Sequence, residues 1–266
     1  MHVFPDVPLV LLNRVVEGSG IKTLMSEPSK WTPFTMRVDQ PPFDDPRVRQ
    51  AFRLILDRQQ LAKIAFNGYA AVGNDLFSNW SPYYDSSRQR DPDLDQAKFL
   101  LKQSGNSDLT VELMTSDVSA GVLQSAQVFA RQARGAGVTV KVNQVTPDVY
   151  YGENYLKWTF AQDYWYSNPF FSQVLSGSLP DSSFNETHWA DPEYMKLFDE
   201  AMQTIDFDKR RELAFAMQAI DFDRGGYIIG TYNQTADLMA ASVEGFKPSK
   251  TGEPLGKFSF EDVWFA

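Results

Sequence analysis

The stretch PPFDDPRVRQAFRLILDRQQLAKIAFNGYA, from Pro41 to Ala70, decides how the rest of the chain is read. Asp45 is a good N-cap, and Pro46 suits the first helical position, where a missing N–H has no partner to lose. Val48, Ala51, Phe52 and Ile55 recur at the spacing of one helical face. Arg47, Arg49, Arg53 and Asp57 fall mostly on the other face and are expected to meet water. Gly68 supplies a stop, so the pattern predicts one capped amphipathic helix.

Upstream, IKTLMSE from Ile21 and WTPFTMRV from Trp31 read as strands. Downstream, GNDLFSNWSPYYD from Gly73 is a loop rich in turn formers and aromatics, and Asp93 caps a short helix through Ala97, Leu100 and Leu101 that stops at Gly105. The period then switches. Leu109, Val111 and Leu113 alternate as a strand, Val122, Ala126, Phe129 and Ala133 keep helical spacing, and Val138, Val140 and Val142 alternate again. Such a β-α-β unit implies parallel strands with a right-handed crossover, hence an α/β fold. Asp148 to Tyr155 is expected to make a helical turn, and Trp158 to Trp165 a strand. Two more helices follow, one capped by Asp191 or Thr187, the other running from Asp208 to a break at Gly225 and Gly226. YIIGTY then returns as a strand, and the tail from Val243 is loop-like with short β segments.

Composition bounds the function. The 266 residues carry a net charge of -9, and a surface of that sign disfavours nucleic acid, which demands clustered Lys and Arg. No apolar run reaches membrane-spanning length, and the opening MHVFPDVPLVLL lacks a cationic n-region and a small-residue cleavage site, so no export signal is expected within this sequence. Cysteine is absent, which removes disulfides and thiolate chemistry. Catalysis has little to draw on. The histidines are His2, near the terminus, and His188 in NETHWADPEY beside a helix start, where a capping or packing role is favoured. There is no P-loop and no GxGxxG, and no cofactor is expected. The 34 acids allow a glycosidase-like carboxylate pair in an aromatic cleft as the alternative, enzymatic reading.

Binding is better supported. Trp80, Tyr83 and Tyr84 occupy one loop, Tyr150, Tyr151 and Tyr155 another, and Trp158, Phe160, Tyr164, Trp165 and Tyr166 a third segment. Aromatic rings give apolar faces with polar handles, and in open α/β sheets small-solute sites form beyond the carboxyl ends of strands.

The word order of several segments resembles family 5 of the extracytoplasmic solute-binding proteins, which serve ABC importers of peptides, nickel and related solutes. The carriers are PPFDDPRVRQA with its closing GYA, SPYYD at Ser81, DLDQAKFLLKQSG at Asp93, QSAQVFARQARGAGVTVKV, DPEYMKLFDEAMQTID, and the late strand ending in VEGF. The resemblance implies a type II periplasmic-binding-protein-like C-terminal lobe, a mixed sheet flanked by helices. It divides the chain into residues 1–38, hinge strands and a remnant of the N-terminal lobe; 39–235, the solute-binding lobe; and 236–266, a tail returning toward the other lobe. It further implies a non-catalytic, extracytoplasmic protein, periplasmic or a cell-surface lipoprotein at full length, whose partners are a small solute such as a peptide, the N-terminal lobe and the permease subunits. Peptide-binding members share a G-W-x-x-D-Y-x-x-P segment whose aspartate meets a peptide's ammonium group. Here the stretch reads AQDYWYSNP from Ala161. Asp163 and Tyr164 match the D-Y with two residues inserted before Pro169; read without the gap, Trp165 stands where the acid would be. The expected ligand-binding set is Asp163, Tyr164 and Trp165 at the strand exit, with Tyr150, Tyr151 and Trp80 as walls.

Overall fold

A computed structural model describes residues 2–15 and 19–266. In chain order the strands and helices are β1 (Val3–Phe4), β2 (Ile21–Met25), β3 (Lys30–Trp31), β4 (Phe34–Met36), α1 (Pro46–Ile55), α2 (Arg58–Ala65), β5 (Ala70–Val72), α3 (Leu94–Gln103), β6 (Thr110–Ser116), α4 (Val122–Ala133), β7 (Thr139–Val145), α5 (Pro147–Tyr150), β8 (Phe160–Gln162), α6 (Phe170–Gly177), α7 (Pro192–Gln203), α8 (Phe207–Arg224), β9 (Tyr227–Ile228), β10 (Thr231–Asn233), β11 (Ala236–Ala240), β12 (Val243–Glu244) and β13 (Trp264–Phe265).

The expected single helix from Pro46 to Gly68 is two. Asp45 caps α1 through Arg47 N–H, as its sequence suggests, but the helix stops at Leu56, and Asp57 opens α2 by accepting from Gln60 N–H. A residue placed on the wet face is therefore a second N-cap, and the chain turns there because an acceptor side chain offers the backbone an alternative to helix. Arg49 and Arg53, also placed in water, are 5% and 0% exposed. Their guanidinium groups donate to backbone carbonyls: Arg49 to Arg224 at the end of α8 and to Phe43 just before α1, Arg53 to Gly225 after α8 and to Tyr227 in β9. Of the three arginines only Arg47 is half exposed, where it pairs with Asp45.

The β-α-β unit is as read. β6 and β7 pair in parallel from Thr110 against Thr139 to Ser116 against Val145, with α4 between them in sequence. They belong to a five-stranded mixed sheet of order β7-β6-β8-β4-β9, in which β8 is parallel to β6 and antiparallel to β4. The segment 1–38 thus also contributes an inner strand, β4. Trp158 to Trp165 is a strand only over Phe160–Gln162, resumed by a single bridge between Trp165 and Trp31. The last long helix starts at Phe207, one residue before the expected Asp208, and is capped by Asp206. α6 is not among the expected elements, because its eight residues carry too short a periodic pattern to register.

One side of the sheet packs Phe34 and Phe160 against Phe43, Phe52 and Phe129 from the α1 to α4 layer. A second apolar cluster, with Trp31, Phe170, Val174, Tyr194 and Met217, joins α6, α7 and α8. Full burial of each such side chain is worth roughly 1.5–3 kcal/mol. Two smaller sheets, β3-β10-β5 and β1-β11-β2, complete the chain. In the latter, β11 pairs with β2 from Ala236 against Met25 to Ala240 against Ile21, so the late part of the chain is stitched to its beginning.

Candidate functional site

β8 ends at Gln162, and the backbone leaves the sheet at Asp163, beyond the strand's carboxyl end. Here lies a cleft of about 370 Å³ whose lining includes Tyr151, Tyr155, Asp163, Tyr164, Trp165 and Glu186, a size suited to a small solute.

Asp163 is 3% exposed. Its Oδ1 accepts from Tyr151 Oη at 2.6 Å and from the Tyr164 N–H at 2.8 Å. Trp165 is anchored from behind: its backbone exchanges both hydrogen bonds with Trp31, at 3.0 and 2.8 Å, and the two indoles stack at 5.7 Å with planes 7° apart. Tyr150 is buried beneath the cleft, its ring edge-on to Tyr151 and its carbonyl accepting from Trp158 Nε1. Trp80 stands in the long loop, 37% exposed and outside the lining of this cleft. Of the six residues picked from sequence, four therefore line one cleft, Tyr150 supports it, and Trp80 lies elsewhere.

Sequence reasoning missed Glu186, whose carboxyl is in hydrogen-bonding contact with Asp163. Trp165 Nε1 donates to its Oε2 at 3.3 Å, and its Oε1 is buried, with the neutral, buried Tyr227 hydroxyl turned to the same carboxyl. The loop that carries it is pinned on both sides. Val38 N–H donates to the Thr187 carbonyl, while Asn185 grips Trp189 N–H at 2.8 Å and the Trp189 carbonyl at 2.9 Å. Gly226 permits this approach, since a Cβ there would collide with Thr187 and the Met36 carbonyl. His188 plays no part in the cleft: it bonds the Leu156 carbonyl at 2.8 Å and faces Asp39 at 3.4 Å.

Burial pushes the Asp163 carboxyl up. Glu186 is driven well above the usual carboxylate range by burial and by the Asp163 charge beside it. Burial and these acids also raise the Tyr151 and Tyr155 hydroxyls, which stay protonated as donors. The two acids touch, whereas the carboxyls of a glycosidase pair stand roughly 5–10 Å apart with substrate or water between them. What the arrangement offers is a dry, anionic, aromatic-walled seat for a group that brings N–H donors and positive charge.

The model of the bacterial extracellular solute-binding proteins, family 5, matches residues 2–194. The chain is 27% identical over 244 residues to the dipeptide-binding protein of Escherichia coli, covering 85% of this chain and 44% of that protein. It is 25% identical over 267 residues to the glutathione-binding protein GsiB of Pectobacterium atrosepticum, covering 94% of this chain and 51% of that one. The chain thus spans about half the length of the relatives it matches. Among solved structures, NikZ from Campylobacter jejuni in complex with Ni(L-His) superposes with a TM-score of 0.86 at 17% identity, over 99% of this chain and 57% of that one. At that identity the likeness establishes the type II binding-protein fold and nothing about the ligand.

Proposed function

This chain belongs to the bacterial extracellular solute-binding proteins of family 5, and from that premise we propose that it serves as the C-terminal lobe of the solute-binding component of an ABC importer. It binds rather than transforms its solute, a peptide or another small molecule with a cationic group, and works outside the cytoplasm with an N-terminal lobe and permease subunits. In this reading residues 39–235 form the lobe, while residues 1–38 and 236–266 connect it to the other.

The observation that carries the reading is Asp163, a buried acid at a strand exit inside an aromatic cleft, with no basic partner among the described residues. Asp163 takes the cationic group, Tyr151 and the Tyr164 N–H hold the carboxylate in place, and Trp165 with Tyr164 provides the apolar wall. Names of relatives that bind a dipeptide or glutathione support a solute bearing an α-ammonium group.

Calorimetric titration of the chain with the dipeptide Ala-Phe and with N-acetyl-Ala-Phe tests this. Closure of two lobes is what buries a solute in this kind of fold. One open wall should therefore give weak binding, roughly in the millimolar to tens-of-micromolar range, confined to the free amine and lost in Asp163→Asn. Equal binding of both peptides would refute the charge assignment, and sub-micromolar binding by this chain alone would refute the need for a second lobe.

A further inference from the structure

We propose that Glu186 is the second acid of the cleft and sets its specificity. In the empty site it shares a single proton with Asp163, and the cationic group of the solute enters by displacing that proton. This rests on the reading of the cleft as a cation site, and adds that binding is coupled to proton release.

The geometry carries it. Two buried carboxyls in contact cannot both ionise without a counter-charge, and one proton held between them relieves the repulsion. Trp165 Nε1 satisfies one oxygen of Glu186, at 3.3 Å, and the other is buried with only the neutral Tyr227 hydroxyl turned to the carboxyl. A proton shared with Asp163 accounts for that buried oxygen, and so does a ligand N–H.

The surroundings supply no substitute. From the β8 exit come Asp163, Tyr164 and Tyr166, from the segment after α5 come Tyr151 and Tyr155, from β9 comes Tyr227, and from the tail comes Glu253. All are neutral hydroxyls or further acids. Lys30, beyond Tyr164 and Tyr166, is committed to Asp6 at 2.8 Å. His188, two residues from Glu186, is turned to Asp39 and the Leu156 carbonyl. Charge in the cleft is thus set by protons until a cation arrives. The exchange balances: the carboxyl O–H bond breaks, the proton leaves to water, and an N⁺–H group of the solute donates to the two carboxylates.

Carboxyl-carbon NMR of the full chain across pH 3 to 9, alone and with Ala-Phe or N-acetyl-Ala-Phe, decides it. Without peptide the pair should titrate in two separated steps, the upper one well above the ordinary carboxylate range. Asp163→Asn and Glu186→Gln should each leave a single step, so one folded variant suffices. Ala-Phe should move the upper step down by about one unit or more, a tenfold or greater linkage between proton and peptide, and the acetylated peptide should not. A single joint step near pH 4 in the free chain would overturn the inference whatever binds. Peptide-induced changes at Tyr151 and Trp165 without movement of the upper step would overturn it and leave the proposed function standing. If neither peptide perturbs those residues, the cation site itself falls, and the inference with it.

Discussion

The chain buries charge in two places, and the two are built in opposite ways. Under α1 and α2 the buried groups are cations with partners. Arg58 grips Asp75 with contacts of 2.7 Å to both oxygens, Arg90 adds a third at 2.7 Å, and Arg49 and Arg53 are capped by carbonyls. Burial pushes Asp75 up, but Arg58, Arg90 and Arg53 outweigh it, and its carboxyl lies below the usual range. In the cleft the buried groups are acids that form no ion pair among the described residues, and they are driven the other way. The regions meet at Tyr227, whose carbonyl accepts from Arg53 and whose hydroxyl is turned to Glu186. Compensated charge fixes the fold there. Uncompensated charge in the cleft is, on the proposed reading, what a cationic ligand would answer.

The comparison breaks most visibly at Asp75. Asp75→Asn keeps the shape and leaves Arg58 and Arg90 facing each other without a counter-charge, and urea denaturation should show a loss of about 3–5 kcal/mol. A loss under 1 kcal/mol would mean the arginines find water, and the contrast with the cleft would collapse.

Asp221 tests the same rule inside the cationic region, because it lies near Arg53 without pairing to it. Burial there pushes its carboxyl up to about 7. The native state therefore holds a proton that the unfolded chain releases near pH 4, and stability is lost as pH rises from about 4 to about 7. Asp221→Asn removes this slope, so the variant should gain about 2–3 kcal/mol on wild type between pH 4.5 and pH 8, by thermal or urea unfolding.

In the cleft the expected sign reverses relative to Asp75. Glu186→Gln removes a buried acid with no cationic partner and should leave the fold unharmed or stabilise it by about 1 kcal/mol at pH 8, while the upper carboxyl step disappears. Destabilisation comparable with Asp75→Asn would make the cleft acids structural. The smallest effect belongs to Trp80→Ala, which should change stability by less than about 0.5 kcal/mol and leave Ala-Phe binding by this chain unaltered.

Much of this was legible from residue patterns, and the failures share a cause. Asp45, Asp93 and Asp191 announce their helices because a cap acts within three residues. The parallel pair announces itself by alternation on both sides of a helical period. Asp163, which the structure places in the cleft, stands out in the sequence because it follows directly on a strand and sits in a recognisable phrase. Glu186 does not, since its partner is 23 positions earlier and nothing in FNETHW distinguishes a buried acid from a solvated one. Arg49 and Arg53 mislead for the same reason. On the helix they look like a wet face, and the carbonyls of the α8–β9 segment that accept from them come from residues more than 170 positions later.

The stacked pair of Trp31 and Trp165 makes the cleft visible to light. Excitation moves electron density in an indole from its pyrrole ring toward its benzene ring, so a negative charge at the pyrrole end lowers the excited state and reddens the emission. Glu186 sits at that end of Trp165, on its Nε1, while Trp31 behind it is wholly dry and held parallel. Trp165 is thus an internal dye for the carboxyl it touches: a change in the charge of Glu186 should shift the emission of the stacked pair.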